Sequence, residues 1–229
     1  LYWGFLFMCF LPSTVQSSIA FTSVAHGNVA GAVCSASFSN IIGMFITPVL
    51  VAFFILGQSE HGFDPTASII QITLLLLVPF ILGQILRPWI YPKMMKMPKI
   101  VKVFDQGSIL LVVYGAFSSA VVAGLWNEVS LSTLLLLLLA CSVLLTLVML
   151  LSLYIPRWLG FSRADQKTVF FCGSKKTLAS GVPMAQILFI GQPLGMIVLP
   201  IMIFHQIQLM VCGIIANVWA KEAESEAEE

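Results

Sequence analysis

The chain has 229 residues, of which 59% are hydrophobic and only 9% charged, with a mean hydropathy of +1.00. Soluble domains carry about 25% charged residues, so this composition excludes an ordinary soluble domain and predicts an all-α, polytopic helical membrane protein whose main partner is the lipid bilayer. The net charge of +1 sums over loops that face different compartments, so it argues for no nucleic-acid partner.

The chain opens at Leu1 inside a hydrophobic run, with no basic segment followed by a cleavage signal, so upstream spans are expected before it. The first span, 1–25, is interrupted by Pro12-Ser13-Thr14, with Gln16, Ser17 and Ser18 just beyond. Proline frees a carbonyl, which predicts either a kink satisfied by hydroxyls or a discontinuous helix whose freed backbone binds an ion or polar substrate. The second span, 29–56, carries Ser35, Ser37, Ser39 and Asn40. Ser35 and Ser39 share a helix face with Ala32, which can serve as close packing or as the oxygen-lined wall of a site.

The loop around Glu60 and Asp64 has no basic residue, whereas Arg87, Lys93, Lys96, Lys99 and Lys102 follow the third span, 67–86. The positive-inside rule puts the basic loop in the cytoplasm and the acidic one outside. A fourth span is expected over 105–125 and a fifth, Leu-rich and uncharged, over 131–155. Asn127 and Glu128 fall outside, and Arg157, Arg163 and Lys167 return to the cytoplasm. The sixth span holds Phe170 to Pro183, FFCGSKKTLASGVP, and the seventh, 194–220, contains His205, Gln206 and Gln208. The tail KEAESEAEE, 221–229, is expected to be cytoplasmic and solvated.

Lys175 and Lys176 are the sharpest feature. Each lysine at the centre of a lipid-facing helix would cost about 3 kcal/mol. Neighbouring helical residues also point about 100° apart, so one rotation cannot hide both. A second broken helix lining a cavity resolves this. Two interrupted spans, each followed by an intact one, predict an inverted-repeat secondary transporter. The five scattered cysteines read as buried thiols without metal-site spacing. No HExxH or GxSxG occurs, and Ser174 beside Lys175 is only an adjacency, so no enzyme is expected.

The runs CFLPSTVQSSIAFTSVAHGNVAGAVCSASFSNIIGMFITP and FCGSKKTLASGVPMAQILF resemble the bile acid:sodium symporter family, and within it the cotransporter 7 branch with its bacterial counterparts. The resemblance implies ten spans, of which about seven are present here, with 1–56 and 127–220 as core-domain helices, 57–126 as panel-domain spans and 221–229 as a charged tail. It implies a substrate cleft at the crossover of two unwound helices in a bacterial inner membrane, and transport of a small organic anion. It places Ser13, Thr14, Gln16 and Ser17 near that crossover, and makes Ser35, Ser39 and Asn40 the nearest candidates for sodium ligands. Sodium-coupled members put an acidic residue just before the glycine of the second motif and an amide just after it. Here Phe171 and Cys172, then Ser174 and Lys175, flank Gly173.

An ammonium about 4 to 6 Å from a sodium ion would repel it by about 3 to 4 kcal/mol at an effective dielectric near 20. Lys175 is therefore expected to stand in the electrostatic place of the ion, with sodium coupling lost and a proton as the other possible coupling ion. Lys176 and Thr177 are expected to meet the anionic group of the substrate at a half-helix N-terminus. His205 is a secondary candidate. A regulatory or scaffold membrane protein of the same fold, without transport, is the alternative.

Overall fold

The computed structural model describes residues 1–55, 65–122, 124 and 129–228, and among these every regular element is a helix. In chain order they are α1 (Tyr2–Phe10), α2 (Gln16–Val24), α3 (Val29–Phe54), α4 (Pro65–Met94), α5 (Pro98–Val122), α6 (Leu131–Trp158), α7 (Arg163–Gly173), α8 (Leu178–Leu188) and α9 (Leu194–Glu228). Glu60, Asp64, Asn127 and Glu128, on which the outside loops were expected, lie outside the described residues.

Both expected interruptions are present. Leu11, which precedes Pro12, is extended (φ −73°, ψ 146°), as the clash of a proline ring with the preceding residue requires, and the chain re-enters helix only at Gln16. The second break runs over 174–177, and the Thr177 hydroxyl caps α8 by accepting from Ser180 N–H. At about 1.5 Å per residue, α1, α2, α7 and α8 are each far too short to cross a bilayer alone. Among the described residues, α3, α6 and 194–225 of α9 are long and apolar enough to do so. Side-chain caps also start three further helices: Asn28 for α3, Ser130 for α6 and Ser162 for α7.

Helix α9 is the centre of the packing, touching α1, α2, α5, α6 and α8. Its buried residues Ile197, Val198, Ile201 and Phe204 meet Phe7 and Met8 of α1 and Val182 and Met184 of α8 in one core. Gly4 lets α1 come close enough that an added Cβ would lie 2.5 Å from Ile197 O. Gly43 of α3 does the same for the first break, where a Cβ would lie 2.6 Å from the Pro12 ring.

One expectation needs correction. The basic segment 87–102 is not a loop: α4 runs through Met94, α5 begins at Pro98, and only Met95–Met97 connects them. Pro88 and Pro92 each remove one bond near the end of a 30-residue helix, which the helix tolerates without ending. In the tail, α9 continues to Glu228. Its Ala, Glu and Lys residues are strong helix formers and simply propagate the helix before them.

Candidate functional site

The two breaks are joined to each other. Thr177 N–H donates to Pro12 O at 3.0 Å, and each break supplies donors to the carbonyls at the other's helix end. The Ser13 hydroxyl donates to Cys172 O (2.6 Å) and the Ser18 hydroxyl to Phe171 O (3.2 Å), which occupies the last turn of α7. In return the Lys176 ammonium donates to Cys9 O and Leu11 O, both at 2.8 Å, at the end of α1. Thr47 of α3 takes the remaining carbonyl of that turn, Phe10 O, at 2.8 Å. Helix C-termini carry partial negative charge and orphan carbonyls, and here ammonium and hydroxyl groups of the chain itself satisfy them.

Lys175 lies deeper, 1% exposed. Its ammonium donates to Ser17 O (2.8 Å) and sits 3.9 Å from the centre of the Phe21 ring and 5.4 Å from that of Phe171, a cation–π arrangement that stabilises a partly desolvated charge. Lys176 thus occupies the carbonyl-lined end of a broken helix, Lys175 lies against two aromatic rings, and neither residue lines the adjoining cavity.

That cavity, of about 670 Å³, adjoins both breaks. Thr14, Gln16 and Ser17 line it from the start of α2, Thr177 and Ser180 from the start of α8, Asn40 from α3 and His205 from α9. Both breaks read Thr-x-x-Ser. Thr14 and Ser17 hydroxyls are 2.8 Å apart and those of Thr177 and Ser180 are 3.1 Å apart, so two matched helix N-termini open on one space. Their partial positive charge favours an anion there.

The remaining expected residues hold the frame. Ser39 Oγ accepts from Ser13 N–H (3.2 Å), and the Asn40 amide donates to Ser13 O (2.7 Å) and Ala36 O (3.0 Å), leaving its carbonyl for the cavity. Ser174 donates to Phe170 O of its own helix at 2.6 Å. Ser35 is exposed on α3 and does not line the cavity.

Two residues were missed. Ser180 was legible as the second half of the repeated Thr-x-x-Ser. Gln208, 0% exposed, accepts from Lys176 N–H and donates to Lys176 O, both at 2.8 Å. Its second amide hydrogen reaches His205 Nδ1 at 2.8 Å. Because Lys176 N–H can only donate, the orientation of the Gln208 amide is determined, and His205 Nδ1 must accept. The neutral ring then carries its proton on Nε2.

Two broken helices bonded through their unwound segments, with polar groups converging at membrane depth, define a transporter of the crossed-helix kind. The chain belongs to the SBF-like CPA transporter family, whose profile matches residues 1–221, and is an integral membrane protein. It is 53% identical to PA2026 of Pseudomonas aeruginosa over 99% of this chain and 68% of that protein. To YfeH of Escherichia coli K12 it is 50% identical over 98% of this chain and 67% of that protein. To sodium/bile acid cotransporter 7 of Rattus norvegicus it is 28% identical over 90% of this chain and 60% of that protein.

Proposed function

We infer that this chain forms the crossover of a secondary active transporter that moves a small organic anion across a bacterial inner membrane, its carboxyl terminus in the cytoplasm, without sodium bound between the broken helices. The observation that carries this reading is the sorting of helix ends. The carbonyl ends of α1 and α7 are occupied by Lys176, Thr47, Ser13 and Ser18, while the amide ends of α2 and α8 open on the cavity. A hard cation needs several oxygen ligands, and those at the crossover are engaged by donors of the chain. An anion finds hydroxyls and two helix N-termini. The anion class also agrees with the name of the rat relative, which pairs bile acid with sodium. A proton is the coupling ion that this arrangement leaves.

The test is uptake of radiolabelled taurocholate, and of a panel of smaller carboxylates and sulfonates, by the full-length protein in proteoliposomes under an imposed pH gradient. Uptake above protein-free vesicles, unchanged when choline replaces sodium, is the expected result. A strict sodium requirement would overturn the coupling assignment. Tight binding without uptake of any anion in the panel would favour the regulatory or scaffold role.

A further inference from the structure

The corner between α4 and α5 has the chemistry of an amphiphile site, separate from the crossover. A groove of about 820 Å³ there is lined by Tyr91, Met94, Met95, Val101 and Phe104, with Ser108 at one end. Met95 is 59% exposed and Phe104 75%, so the lining is apolar surface that no described segment of the chain covers. Lys93, Lys96 and Lys99 alternate with these groove residues in sequence and are exposed. Lys93 precedes Met94, Lys96 follows Met95, and Lys99 stands in the first turn of α5.

The corner is held in place by its own backbone. Met95 N–H donates to Tyr91 O (2.9 Å), Lys96 N–H to Lys93 O (3.2 Å), Met97 N–H to Met94 O (2.9 Å) and Val101 N–H to Met97 O (3.1 Å). Pro98 opens α5, where its fixed φ suits the first helical position. Lys96 is thus carried on a short, hydrogen-bonded connection, with Lys93 in the last turn of α4 and Lys99 in the first turn of α5. No residue from Pro65 to Phe104 is acidic, so neither helix supplies a counter-charge along that stretch. The other basic segment differs: there Lys167 donates to Ala25 O and Asp165 lies close in sequence.

We propose that this corner binds an anionic phospholipid, the phosphate held by Lys93, Lys96 and Lys99 and an acyl chain lying in the groove between Tyr91, Met95 and Phe104. Clustered basic residues at a helix end attract anionic headgroups, and the adjoining apolar groove gives the acyl chain a place that charge alone would not. Bulk bilayer lipid would fill the groove without regard to headgroup, so headgroup preference is the discriminating property.

The experiment is native mass spectrometry of the full-length protein after detergent exchange, with phosphatidylglycerol and phosphatidylcholine of matched chains added back. Phosphatidylglycerol should be retained in preference to phosphatidylcholine, and the preference should fall as salt rises. Each lysine is worth about fivefold, so the triple variant Lys93→Gln, Lys96→Gln, Lys99→Gln should weaken retention about a hundredfold. Val101→Trp fills the groove, keeps the lysines and should also lose the lipid. Equal retention of both lipids, or wild-type retention by the triple variant, would overturn the proposal. So would displacement by millimolar inorganic phosphate, or full retention by Val101→Trp, since the occupant would then be a free anion rather than a lipid. Thermal unfolding of each variant checks that lost retention is not lost fold.

Discussion

Replacing Lys176 with methionine should convert an ion-free crossover into one that responds to sodium. The substitution keeps most of the aliphatic stem and removes the ammonium that donates to Cys9 O and Leu11 O. A buried carbonyl left unpaired costs about 1 to 3 kcal/mol, so two cost about 2 to 6, part of which is offset because the variant no longer desolvates a charge. A net loss of about 3 kcal/mol corresponds to a melting temperature lower by about 6 to 12 °C for a chain of this size. The two freed carbonyls, with Thr47 nearby on Phe10 O, then form an oxygen-lined pocket for a hard cation. Sodium at ten times its dissociation constant would restore about 1.4 kcal/mol, or about 3 to 6 °C. The assay is thermal unfolding in detergent with sodium chloride or choline chloride at equal ionic strength. Wild-type protein should melt alike in both salts, and Lys176→Met should melt lower but recover in sodium. A sodium shift in the wild type, or an unchanged melting temperature in the variant, would refute the idea that Lys176 takes an ion's place.

Gln208→Leu should lower stability by about 2 to 4 kcal/mol, because it strips both backbone partners of Lys176 at a buried position; the melting temperature and protease sensitivity of the second break report it. Gly43→Ala should cost about 1 to 3 kcal/mol, since the new Cβ would lie 2.6 Å from a proline ring that has no rotamer to yield, and equal stability of the variant would refute the close packing. The Asp165 carboxyl is held below its usual value of 3.8 by the Ser162 hydroxyl and then by the Asn28 amide. Its contribution to stability is therefore full above that value and is lost as pH falls through the lower folded-state value. Wild-type melting should be level from pH 7 to pH 5 and fall below about pH 4, with a shallower fall in Asp165→Asn. Thr177→Ala and Thr14→Ala should each raise the transport KM for an anionic substrate, measured as concentration dependence of uptake, with Thr177→Ala also costing about 1 kcal/mol of stability for its lost helix cap. Equal KM values would remove the paired helix starts from the site.

The two breaks were legible because each violates a strong local rule: Pro12 cannot continue a helix ladder, and two adjacent lysines cannot both be hidden on a lipid-facing helix. What each ammonium touches was not legible. That depends on how the two breaks meet, through contacts such as Thr177 N–H on Pro12 O, which are far apart in sequence. Charge pattern misled at 87–102, where basic residues and prolines suggested a loop. Helix propagation across 30 residues outweighs two proline penalties near the end. Gln208 was noted beside His205 and Gln206 but given no role, because an amide in an apolar span signals nothing until its backbone partner is known. The repeated Thr-x-x-Ser was visible at 14–17 and 177–180, but only the shared cavity gives it meaning.

The arrangement of charge at the crossover bears directly on energetics. In a sodium-coupled site the cation arrives and leaves with the substrate, so part of the charge of a bound anion is carried by a mobile partner. Here the positive group at the end of α1 is covalently fixed as Lys176, and it remains whether or not a substrate is bound. Moving a monovalent anion through this crossover therefore carries one negative charge across the membrane unless a proton travels with it. At about 2.3 kcal/mol per charge per 100 mV, an inside-negative potential would oppose uniport entry strongly enough to dominate accumulation. On the proposed proton coupling, sustained uptake against such a potential carries a proton for each anion charge. Coupling should appear as alkalinisation of the outer medium in step with uptake, and a potential clamped by valinomycin and potassium should leave a proton-matched flux unchanged. A flux that instead tracks the clamped potential would mean that the anion crosses alone.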